Sequence, residues 1–102
     1  MGLPVIGTNW SGQTEFMTHD NSLLLDFDIV DVPEVAYLET PTYRGHRWAE
    51  PNCSHLKRLM RKAFQDRSAC REIGKMARAD LGARFNYRRI AEVISNEVER
   101  LR

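Results

Sequence analysis

The chain has 102 residues, 42% apolar and 28% charged, which fits one globular domain and excludes a disordered or fibrous chain. Fifteen basic against 14 acidic side chains leave +1, so bulk charge favours no class of partner. No run approaches the roughly 18 apolar residues of a bilayer span, and nothing reads as a secretory signal.

Leu3-Pro4-Val5-Ile6 is a short apolar run ended by Gly7, the pattern of a strand buried on both faces. Pro4 must then sit at its first positions, where a missing N–H is tolerable. Thr8 to Gly12 has loop chemistry. Thr14-Glu15-Phe16-Met17 predicts one helical turn, stopped by His19-Asp20-Asn21. Leu23-Leu24-Leu25 has the length of a second strand, and Val35-Ala36-Tyr37-Leu38 that of a third. Residues 39–51 carry Pro41, Gly45 and Pro51 and no periodicity. A loop of that length is commonly functional or partner-contacting.

The second half predicts three helices. Asn52 is placed to cap the first, with Leu56, Leu59, Met60, Ala63 and Phe64 on one stripe. Asp66 or Ser68 caps the next, whose stripe runs from Ala69 through Ile73, Met76 and Ala77 to Leu81 and ends near Gly82. Asn86 caps the third, with Tyr87, Ile90, Ala91, Ile94, Val98 and Leu101 on one face. The expected fold class is α/β: a partial Rossmann-like layer with a small parallel sheet and three C-terminal helices. Such a sheet has open edges and little core. The chain therefore reads as part of a larger sheet, or as one that completes its sheet by association.

Charge is unevenly placed. Residues 1–50 carry eight acids and two bases, and residues 51–102 carry thirteen bases and six acids. Such asymmetry marks either an anion-binding half or, more commonly, solvated basic faces paired with an acidic half.

The order of motifs meets a family. Gly2-Leu3-Pro4-Val5-Ile6-Gly7-Thr8-Asn9-Trp10-Ser11-Gly12, followed by Thr14-Glu15-Phe16, resembles retaining glycosyltransferases of family 4, also called group 1. Their "GLPVIAT" phrase precedes a glycine-containing turn and a glutamate that opens a short helix. Asn21 to Leu25 resembles the family's "NGLLV" strand. Gly45 to Pro51 resembles the "G-x-W-A-E-P" phrase found in part of the family, which leads into a helix. Arg71-Glu72-Ile73-Gly74 and Ala83-Arg84-Phe85-Asn86-Tyr87 echo its two final helices. The likeness covers nearly the whole chain, and it is the order and spacing of the phrases that is specific.

That resemblance implies a GT-B architecture of two facing Rossmann-like lobes. This chain would be the last part of the C-terminal, donor-binding lobe. The family's signature, two glutamates separated by seven residues, would fall just before Met1. Its diphosphate-gripping Arg/Lys pair and acceptor lobe would lie earlier still. The implied function is a domain or fragment of an enzyme that transfers sugar from a nucleotide-sugar donor, without catalytic residues or cofactor of its own. The implied partners are that donor and the missing N-terminal lobe or a second copy of the chain. A rim of the donor pocket remains: Asn9, Trp10, Ser11 and Gly12, beyond the carboxyl end of the first strand, where open α/β sheets bind ligands. Glu15 belongs to the same rim, although a glutamate in a first helical turn commonly only complements the dipole.

Other constellations carry less. Gly7 to Thr14 fits a phosphate-binding loop except that Gln13 replaces its lysine, the group that meets the β- and γ-phosphates. The plain reading is a glycine turn. His19, His46 and His55 lack metal-ligand spacing, and Cys53 and Cys70 form no C-x-x-C pair. A cytoplasmic setting is the default, with both thiols reduced. Cys53 near a helix start favours thiolate, but no histidine pairs with it. The basic run from Lys57 to Arg78 is read as a solvated face rather than a nucleic-acid surface, since Phe64 is its only aromatic. Trp48 is expected to cover the apolar end of the first long helix or to contact a missing lobe. An oligomerising interaction module remains the alternative to an enzyme part, and a nucleic-acid binder the third reading.

Overall fold

A computed structural model describes all residues, Met1–Arg102. The chain is α/β, with a two-stranded parallel sheet, a two-stranded antiparallel sheet and three long helices at the end. β1 (Ile6–Thr8) pairs in parallel with β2 (Leu23–Leu25), Ile6 opposite Leu23 and Thr8 opposite Leu25. The ladder is extended at one end by the Leu23 N–H to the Val5 carbonyl and at the other by the Asn9 N–H to the Leu25 carbonyl. β3 (Phe27–Asp31) pairs antiparallel with β4 (Arg47–Pro51), Phe27 opposite Pro51 and Asp31 opposite Arg47.

The first strand lies further along than Leu3–Ile6. Pro4 has no N–H to give a ladder, and Gly2, at φ +71°, bends the preceding segment against Gly74 of the second long helix. The turn expected over Thr14–Met17 is a 3₁₀ turn over Ser11–Glu15. The strand expected over Val35–Leu38 is instead a short helix, α1 (Glu34–Glu39). Pro33 brings a fixed φ to its N-cap, and Glu34 puts a carboxylate in the first turn, both helix-start features. The stretch 39–51 is not structureless: it holds a 3₁₀ turn at Pro41–Tyr43 and then β4. Trp48 is therefore a strand residue opposite Val30, not a loop residue.

The helices follow their sequence signals closely. α2 spans Cys53–Gln65, α3 Arg67–Arg84 and α4 Tyr87–Arg100. Asn52, Asp66 and Asn86 cap them, each accepting through its side chain from an N–H three residues on, at 2.9 Å. Each such cap contributes about 1 kcal/mol. α3 runs two residues beyond Gly82. No helix is long and apolar enough to cross a membrane.

The core is thin. Met17, Leu23, Leu25, Val32, Cys70 and Ala77 are its buried apolar residues. α2 packs on β2 and α3. The extents are 45 × 44 × 18 Å and the radius of gyration is 17.8 Å, against about 13 Å for a compact chain of this length. α4 buries none of its residues, and Ile90, Ile94 and Val98 of its apolar stripe stay exposed.

One polar cluster ties the turn region to α3. Asn21 is only 3% exposed. Its Oδ1 accepts from the Thr18 N–H at 2.8 Å and from the Ser22 hydroxyl at 2.9 Å. Its Nδ2 donates to the Phe16 carbonyl at 2.8 Å and to Asp80 Oδ2 at 2.9 Å. Arg84 clamps the same region, donating to Asp80 Oδ2 at 3.0 Å and to the Glu15 carbonyl at 2.7 Å.

Candidate functional site

Beyond the carboxyl end of β1 the chain leaves the sheet through Asn9 and Trp10 and turns at once into the Ser11–Glu15 3₁₀ turn. The Trp10 N–H closes back on the Thr8 carbonyl at 2.8 Å. Ser11 has φ +60°, a conformation that costs a residue with a Cβ about 1–2 kcal/mol. The left-handed position of this turn is thus a serine, while Gly12 keeps an ordinary φ. The Thr14 hydroxyl donates to the Ser11 carbonyl at 2.7 Å and fixes the bend.

This bend forms one side of an open cleft of about 600 Å³. Thr8, Trp10, Ser11, Gly12, Gln13 and Phe16 line it from the first strand and its turn, and Trp48 and Ala49 from β4. The antiparallel pair therefore supplies the opposite wall. Trp10 is held by Phe27 of β3, ring centroids 5.1 Å apart and planes tilted by 56°. Trp48 is held edge-on by Tyr43, centroids 6.4 Å apart. Its indole N–H is buried and has no hydrogen-bond partner, a condition that costs about 1–3 kcal/mol when nothing satisfies it.

Of the five expected rim residues, Trp10, Ser11 and Gly12 meet in this cleft. Asn9 does not line it; its backbone extends the β1–β2 ladder. Glu15 does not line it either; its carbonyl is held by Arg84. Sequence reasoning missed Thr8, Gln13, Phe16, Trp48 and Ala49 as wall residues. Trp48 was detectable in principle: placing it on the cleft needed β3 and β4 to be read as a pair.

The lining contains no charged side chain. It offers two indole surfaces, a phenyl ring, two hydroxyls and one amide. That set suits a neutral ring bearing hydroxyl or amide groups, which stacks on aromatics and exchanges hydrogen bonds. It does not suit a diphosphate, which needs cations or a helix N-terminus. The five-residue 3₁₀ turn and the neutral Gln13 supply neither, which also disposes of the phosphate-loop likeness. No three His, Cys, Asp or Glu side chains gather as a metal site. Cys53 is exposed at the start of α2, and Cys70 is buried. The chain matches no protein-family model, no curated protein and no solved structure.

Proposed function

We propose that this chain is the C-terminal portion of the donor-binding lobe of a retaining, nucleotide-sugar-dependent glycosyltransferase, and that it does not catalyse transfer alone. The observation that carries this reading is the uncharged, tryptophan-walled cleft beyond the carboxyl end of β1, the end at which open α/β sheets receive ligands. In this reading the cleft takes a neutral ring of the donor. Trp10 and Trp48 supply apolar contact, and the Thr8 and Ser11 hydroxyls and the Gln13 amide orient the ring. Glycosyl transfer also needs a clamp on the donor, cationic or dipolar stabilisation of the departing diphosphate, and a positioned acceptor. No cation lines the cleft, so in this reading those tasks fall to groups outside it, on the rest of the donor-binding lobe and on the acceptor lobe.

The chain has two tryptophans and both wall this cleft, so intrinsic fluorescence reports on it directly. Titration with uridine-, guanosine- and adenosine-diphosphate hexoses is expected to quench or shift the emission. Trp10→Ala is expected to abolish most of that response. The isolated chain is expected to show no donor hydrolysis. A flat titration with every donor sinks the binding claim, and robust turnover sinks the claim of catalytic incompetence.

A second reading, an oligomerising interaction module, is favoured by one observation: α4 presents its apolar stripe uncovered. Light scattering decides it. Concentration-dependent dimers that vanish with Ile94→Asp support the module, and a clean monomer at high concentration removes it.

A further inference from the structure

On α2 the residues Lys57, Met60, Arg61 and Phe64 are related by three- and four-residue steps, so they form two adjoining rows on one flank of the helix. The flank is not a core face. Met60 is 58% exposed and Phe64 72% exposed, whereas Leu56, Leu59 and Ala63 on the neighbouring stripe are half-buried. Arg67, at the start of α3, lies over the Phe64 ring at 5.5 Å. Along all of α2 there are four cations, Lys57, Arg58, Arg61 and Lys62, and no acid. None of the four is paired: the ion pairs of the chain lie elsewhere.

We propose that this flank of α2 docks reversibly on an anionic lipid bilayer, with Phe64 and Met60 entering the headgroup boundary and Lys57, Arg61 and Arg67 meeting lipid phosphates. Two exposed apolar side chains ringed by unpaired cations combine the two weak signals that peripheral attachment requires. Arg67 over the phenyl face keeps its charge at headgroup level while the ring enters the less polar layer. A nucleic acid fits less well. Single-strand binding uses several aromatics as stacking platforms, and Phe64 is the only aromatic of α2 and α3. A second copy also fits less well, because a two-fold contact through this flank sets cations against cations. The proposal stands apart from the ligand reading of the cleft and shares no residue with it.

The test is co-sedimentation of the full chain with vesicles of phosphatidylcholine, alone or mixed with phosphatidylserine. Binding is expected on the mixed vesicles only, and to weaken as salt is raised. Lys57→Ala with Arg61→Ala should lower partitioning about twenty-five-fold, at roughly fivefold per cation removed. Met60→Ser with Phe64→Ser should lower it about tenfold or more with every charge kept. All four side chains are exposed or lie on the exposed flank, and unchanged circular dichroism confirms that the variants fold. No binding, equal binding to neutral vesicles, or binding indifferent to Met60→Ser with Phe64→Ser overturns the proposal. So does tighter, salt-sensitive retardation of RNA or DNA than of mixed vesicles.

Discussion

Asn21→Ala is expected to destabilise the fold by about 3 kcal/mol, enough to lower Tm by more than roughly 10 °C in a domain of this size. The side chain satisfies four partners from a position 3% exposed. Deleting it leaves the part-buried Thr18 N–H and Phe16 carbonyl without their partner. It also cuts the link from the turn region to Asp80 on α3. Asn21→Asp separates the parts of this cost. The substituted side chain has the same shape and still accepts from Thr18 and Ser22, but it presents oxygen to the Phe16 carbonyl and to Asp80. A loss comparable to that of alanine is expected, because two donors become two repulsions. Chemical denaturation of both variants is the measurement. An unchanged midpoint for either one contradicts the network.

Gly74→Ala is the second large effect, and its sign opposes helix propensity. A Cβ at position 74 would lie 2.2 Å from the Gly2 carbonyl oxygen, 2.7 Å from the Gly2 carbonyl carbon and 2.9 Å from the Leu3 carbonyl carbon. All three are backbone atoms and cannot rotate away. The segment 2–5 must shift, and Val5 in that segment accepts from Leu23, so the shift reaches the parallel pair. Alanine gains about 1 kcal/mol of propensity over glycine inside a helix, while overpacking of this kind costs about 1–3 kcal/mol. A net loss of up to about 2 kcal/mol is therefore expected. Gly82→Ala is the control. It lies in the same helix with nothing within 4 Å of the added carbon, so propensity acts alone and the variant should gain stability by up to about 1 kcal/mol. Thermal denaturation of the two variants side by side checks the opposite signs.

The helical half of the chain was legible because its signals are local. Asn52, Asp66 and Asn86 are caps that act within three residues, and the stripes from Leu56 to Phe64 and from Ala69 to Leu81 repeat at the helical period. Gly82 misled by two residues, since a glycine in an exposed helix is tolerated as well as terminating. The sheet half was less legible because its decisive partners are remote. β3 opens with Phe27 and Ile29 on either side of Asp28, a short period-two signal, but its partner β4 lies 16 residues further on in the run with Pro51 and Trp48. Val35 to Leu38 has strand-like composition and no strand to pair with, so Pro33 and Glu34 decide for helix. The cleft was half legible for the same reason. Trp10, Ser11 and Gly12 follow directly from β1, while Trp48 enters only once the antiparallel pair exists.

The joint between the last two helices rests on one side chain. Asn86 accepts from the Arg89 N–H to start α4 and also donates through Nδ2 to the Gly82 and Ala83 carbonyls that finish α3. A single amide thus sets the heading of a 14-residue rod that touches little else. At about 1.5 Å per residue the rod reaches some 21 Å, so a pivot of roughly 10° at its root sweeps the Leu101 tip through about 4 Å. The direction of α4 is thus set at its root, where Asn86 bridges the two helices.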